Sequence, residues 1–128
     1  MAKYLEIWFT CIMTNSKALV EYCIFLEENI HLSSIFTGMT VDEFASSPLH
    51  VLAAEGLSVR IGENVKNLAK LAPAQFGSER WSLAARNRDK VAHDYQNLVV
   101  DTLLDTVQHS FPGLLPMLQD AKGALGIR

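Results

Sequence analysis

The chain has 128 residues, 49% hydrophobic and 20% charged, with a formal net charge of −3. One domain's worth of length and enough apolar residues for a core exclude a multidomain assembly and a disordered polyelectrolyte. The acidic balance argues against indiscriminate nucleic-acid binding, and no run approaches the roughly 18 apolar residues of a membrane span.

Residues 1–13, MAKYLEIWFTCIM, are apolar but interrupted by Lys3 and Glu6. They lack the long h-region and small-residue cleavage site of a signal peptide, so a soluble, cytoplasmic protein is expected. Met13-Thr14-Asn15-Ser16 reads as a natural beginning, a methionine followed by capping residues. Residues 1–13 are therefore an N-terminal arm or a misassigned start, with Tyr4, Trp8 and Phe9 exposed unless they pack on something. The domain proper spans 14–122. Cys11 and Cys23 form neither a CxxC pair nor a disulfide framework, and read as small buried hydrophobes in a reducing compartment.

From about Asn15 to Phe36, Leu19, Cys23, Leu26 and Ile30 recur at helical spacing, and Gly38 follows as a stop. TVDE, residues 40–43, has the form of a capping box, with Thr40 as N-cap and Glu43 reaching back. Ser47-Pro48 supplies the N-cap and first-turn proline of a long helix to about Leu71. Leu57, Ile61, Val65 and Leu68 mark its buried stripe, and Arg60, Glu63, Lys66 and Asn67 its polar side. Gly56 and Gly62 each lower helix propensity by roughly 1 kcal/mol, which hints at tight packing at both.

Pro73 and Gly77 break the pattern, and a further helix covers Trp81 to about Tyr95. Asp101 caps a last helix with Leu103, Leu104, Val107 and Phe111, bent or restarted by Pro112, Gly113 and Pro116. Residues 123–128 are expected to fray. No Asn-Gly or Asp-Gly hairpin signal occurs, so the fold class is all-α: an antiparallel four-helix-bundle-like domain with one or two extra short helices.

The charge is unevenly spread. Residues 60–90 hold seven basic and three acidic side chains, a net of +4 that leaves −7 elsewhere. An acidic body with one basic segment suits a protein that meets a polyanion at one place. Within that segment begins RDKVAHDY, residues 88–95. On a straight helix Arg88 and Tyr95 share a face, while His93 lies about 140° from Arg88, with Arg86 and Asp89 on the histidine's side. Pairing His93 with Arg88 requires a kink, a reaching arginine or a second subunit.

Histidine titrates near pH ~6.5 and can pass a proton at cellular pH; arginine offers a planar fork suited to phosphate. Together they suffice for metal-independent RNA cleavage. The base removes the 2′-hydroxyl proton, and the guanidinium stabilises charge on the phosphorane-like transition state. Asp89, one turn before His93, can orient the imidazole. No histidine or cysteine lies close enough to suggest a metal site here, and no cofactor is expected. His31, His50 and His109 show no constellation and read as surface or boundary residues.

IGENVKNLAK at 61–70, Trp81, RDKVAHDY and DTVQHSFPGLLPML, in that order, resemble the HepT family of HEPN-domain ribonuclease toxins. Trp81, twelve residues before His93, assigns the motif arginine to Arg88. GMTVDEF resembles the family's early loop, so the likeness covers roughly residues 16–118. It implies an all-helical HEPN bundle that forms a homodimer with both motifs facing a shared cleft. It implies a metal-independent endoribonuclease with Arg88 and His93 as catalytic residues. It implies a type VII toxin–antitoxin pair whose partner, an MNT-type nucleotidyltransferase, silences the toxin by adenylylating Tyr95. Asp89 stands where asparagine is commoner in the family, and Arg86 where a small residue is usual; Arg86 offsets the added charge or grips RNA. Glu63 faces the cleft with Arg60, or the two form an i,i+3 ion pair. The other reading is a binding module: an inert HEPN-like bundle that pairs with the nucleotidyltransferase.

Overall fold

The computed structural model describes residues 2–94, 96 and 98–128, with the side chains of 2–5 and 7–15 outside that description. It is all-α. The first helix, α1 (Ala2–Leu32), runs unbroken through the expected start at Asn15. No glycine or proline occurs between 2 and 32 to end it, and capping residues have nothing to cap where the chain is helical on both sides. The former arm is thus, in backbone, the first turns of α1. Cys23, Leu26 and Ile30 are buried along it. Burial also pushes the Cys23 thiol up, consistent with an inert core cysteine; the Cys11 side chain lies outside the described residues.

A 3₁₀ turn, Ser33–Phe36, follows, and Gly38 at φ 75° closes it in the left-handed region that glycine adopts without penalty. The short α2 (Val41–Ala45) carries the expected capping box: Thr40 Oγ1 accepts from the Glu43 N–H at 3.1 Å and donates to the Glu43 carboxylate. Ser47 precedes α3 (Pro48–Leu71) as expected, but its hydroxyl pairs with His50 Nδ1 at 2.6 Å instead of capping the backbone.

α3 is the central helix, packed between α1 and α5 (Glu79–Asp94), with α4 (Pro73–Phe76) turning the chain between them. Its buried residues include the expected Leu57, Ile61, Val65 and Leu68. Trp81 is buried against Phe76, with ring centroids 5.2 Å apart. The last arm is α6 (Val100–Asp105), a π-type turn (Thr106–Ser110) and α7 (Leu114–Ala124). Asp101 is not the cap of α6. Val99 holds that position without a side-chain bond, and Asp101 lies in the first turn, where its charge faces the helix's positive end. The π-type turn points Gln108 at the loop after α1, where its amide donates to the carbonyls of Phe36 and Met39 at 2.8 and 2.7 Å. Lys122, buried on α7, reaches Glu27 of α1 at 3.2 Å, and Gln119 bonds the same carboxylate. The segment 123–128, expected as a frayed end, carries a closure in which Ile127 N–H donates to the Lys122 carbonyl at 2.8 Å. Leu125 and Ile127 pack partly buried against the core.

The two glycines of α3 part company. A Cβ on Gly56 would meet nothing within 4 Å, so the expectation of tight packing fails there; Gly62 is closely covered. Gly56→Ala should therefore raise stability by about 1 kcal/mol, the helix-propensity difference, seen as a higher denaturant midpoint with unchanged slope. A lower midpoint would contradict the open surroundings of Gly56.

Candidate functional site

α3 and α5 run antiparallel, since residues 65–69 of α3 neighbour 81–85 of α5 while Gly62 meets Arg88. Trp81 and Ala84 are buried on the α3-facing side of α5, and Arg88 follows Ala84 by one turn on that side. A Cβ on Gly62 would lie 2.0 Å from Arg88 Cβ and 3.0 Å from the Ala84 carbonyl oxygen. Glycine at 62 thus lets the arginine stem pass directly over the α3 backbone. That explains why a weak helix former stands mid-helix.

The guanidinium then sits between carboxylates from both helices. Arg88 Nε is 3.3 Å from Glu63 Oε2, and Nη1 is 3.2 Å from Asp89 Oδ1. The Nε contact is an ion pair without hydrogen-bond alignment: that donor is buried and has no acceptor among the described residues. Lys66, one turn beyond Gly62, donates to the same Asp89 oxygen at 2.5 Å. Glu63 therefore pairs across the helix seam with Arg88. Lys66, named in sequence only as part of a polar stripe, holds Asp89. Its one signal was the i,i+4 spacing from Gly62, which puts both on the face turned to α5.

The hydrogen bond from Lys66, and after it that from Arg88, holds the Asp89 carboxyl below the usual carboxylate range. A lowered folded-state pKa means the stabilisation is present above the unfolded value and is lost as pH falls through the folded one. The melting-temperature difference between wild type and Asp89→Asn should stay constant above about pH 5 and shrink as pH falls through and below the ordinary carboxylate range. A difference that widens in acid would contradict the assignment.

Not every sequence-identified residue joins this cluster. Arg86 is exposed and pairs with Glu79 at 2.6 Å along its own helix. His93 is exposed on the last turn of α5, while the Arg88 guanidinium is engaged by Glu63 and Asp89. Tyr95 lies outside the described residues. His31 and His109 are exposed beside Glu27 and Asp105, and His50 is half-buried against Ser47 and the Phe36 ring. Among the described residues no group of three His, Cys, Asp or Glu side chains converges as a metal cradle, and no helix is long and apolar enough to cross a membrane.

In chemical terms, the seam fixes one arginine through its stem and two carboxylates, with a lysine balancing the second. A histidine stands on the next exposed turn of the same helix. Such a pair offers a phosphate fork and a proton acceptor. A family model described as ribonuclease HepT-like matches residues 26–121. No solved structure matches the chain.

Proposed function

Because the chain belongs to the ribonuclease HepT-like family, we propose that it is an endoribonuclease toxin whose Arg88 and His93 act together on one RNA phosphodiester without a metal ion. The observation that supports this reading best is the anchoring of Arg88. Its stem is seated over Gly62, so the fork is pre-positioned and little rotamer freedom is lost on binding phosphate. His93 takes the 2′-hydroxyl proton as that oxygen attacks phosphorus. The P–O5′ bond then breaks, leaving a 2′,3′-cyclic phosphate, and the proton passes to the departing O5′. Arg88 stabilises the extra negative charge on the non-bridging oxygens between these events. Lys66 ties up Asp89, which weakens that carboxylate's competition with phosphate for the guanidinium. Glu63 positions Arg88, and Arg86 lies outside the ion cluster as a surface contact for RNA.

A second copy belongs in this reading, because one chain sets Arg88 and His93 on different sides of α5. The groove between α1 and α3 is the face assigned to it. Phe25 and Leu32 are about half exposed there (49% and 51%), and Glu28, Arg60 and Glu63 line the same groove. A twofold arrangement can set Arg60 of one copy against Glu28 of the other. Glu63 belongs to both this groove and the Arg88 pair, so a copy seated here lies beside the catalytic arginine. An MNT-type nucleotidyltransferase is the proposed antitoxin, adding a nucleotide to Tyr95 and bringing bulk and negative charge where RNA must lie.

A second reading is favoured by one observation: Arg88 already faces two carboxylates. On that reading the chain is an inert bundle that serves the nucleotidyltransferase as a binding subunit. RNA incubated in EDTA with wild type and with His93→Ala, each freed of partner, separates the two. Cleavage by wild type alone supports the enzyme; inert protein that still forms the complex selects the adaptor.

A further inference from the structure

A cavity of about 290 Å³ opens between α5 and the π-type turn. Its α5 wall carries Arg80, Leu83 and Asn87; Phe111 and Leu114 give it an apolar floor, and Ser110 lies at its edge. Three features mark it as more than a packing gap. Asn87 Nδ2 is buried with no acceptor among the described residues, and an amide donor left so is costly without a partner. Gly113 leaves room for the Arg80 guanidinium, since a Cβ there would lie 3.1 Å from Nη2. The π-type turn itself is a rare geometry that is frequently retained at functional sites.

The cavity also leads somewhere. A smaller one, of about 20 Å³, shares Asn87 and Thr106 with it and is lined by Lys90. Asn87, Lys90 and His93 follow at three-residue steps, each turning about 60° round the helix, and six residues advance about 9 Å. The donor, a cation and the candidate base therefore form one continuous track on α5.

Resting on the nuclease reading, we propose that this cavity is a nucleobase subsite for RNA, filled by an unstacked base close to the scissile phosphate. The volume suits a single planar heterocycle better than a larger ligand. Single-stranded RNA is read in this way, by splayed bases held in apolar slots and hydrogen-bonded at their edges. Leu83, Phe111 and Leu114 make the slot, Asn87 Nδ2 donates to a carbonyl or ring nitrogen of the base, and Arg80 meets a flanking phosphate. Lys90 holds the backbone between the subsite and His93.

The test uses full-length protein and short single-stranded RNAs that differ in the base beside the cut. Arg80→Ala, and separately Leu83→Trp, which fills the mouth from its exposed rim, should each raise KM about tenfold and flatten the base preference, with less of the loss in kcat. Unchanged KM and unchanged preference in both variants overturn the subsite. If wild type cleaves no RNA the nuclease reading falls by itself, and fluorescence anisotropy with His93→Ala then decides the subsite. RNA binding weakened about tenfold by Arg80→Ala keeps it, and equal binding sinks it. A free nucleoside monophosphate that binds as tightly as the RNA also overturns it.

Discussion

Substituting alanine for His93 should lower RNA cleavage by about a hundred- to ten-thousandfold, the range for loss of a positioned general base. The melting temperature should scarcely move. His93 is exposed on the last turn of α5, so its removal leaves no cavity in the seam between α3 and α5. Loss of rate without loss of fold separates chemistry from stability, which few other positions near the site allow. On the proposed function, the same variant should lose toxicity in cells while still forming a complex with the proposed nucleotidyltransferase partner. Cleavage that persists at the wild-type rate, in EDTA and with partner removed, would end the assignment of His93 as the base.

Gly62→Ala should act through both fold and site. The added methyl carbon would lie 2.0 Å from Arg88 Cβ and 3.0 Å from the Ala84 carbonyl oxygen. Carbon pairs settle at about 3.5–4.0 Å, so the helices must part by more than an ångström or the arginine must leave its seat. Neither contact is with the free end of a flexible side chain. Overpacking of this kind costs about 1–3 kcal/mol, against a gain of about 1 kcal/mol in helix propensity, so a net loss of stability is expected. The larger effect falls on cleavage. Displacing a catalytic group by about an ångström can lower a rate some hundredfold, and here the displaced group is the proposed phosphate fork. Thermal denaturation and RNA cleavage below the melting temperature read the two parts separately. A variant as stable and as active as wild type would show that Arg88 does not need this seat. Gly56→Ala, on the same helix, is the matched control.

Much of this is legible in the order of residues alone. Helical spacing named Leu19, Cys23, Leu26, Ile30, Leu57, Ile61, Val65 and Leu68; all are buried except Leu19, which packs only partly buried against the core. Thr40 and Glu43 announced their capping box because both partners lie within one turn. Where the local rules were weaker the reading slipped. Asn15 reads locally as a beginning, yet nothing in that stretch stops a helix, and Asp101 reads as a cap although α6 already starts at Val100. Arg88 and His93 were identified from spaced motifs along the chain, while the wheel placed them apart.

From its own order of residues, then, this protein settles what depends on neighbours within a turn or two. It settles an all-helical chain, the apolar stripes, the family, and one arginine and one histidine on a single helix. The tertiary structure decided which residues meet across the seam. Gly56 and Gly62 are alike to any local rule, yet one faces open space and the other the stem of Arg88. Glu63 had an arginine three residues behind it and pairs instead with one 25 residues ahead; Lys66 turned out to hold Asp89. The reason is physical: helical periodicity fixes the direction in which a side chain leaves its own helix. Which residue waits there depends on how two helices slide and rotate against each other, a register set by packing of the whole core.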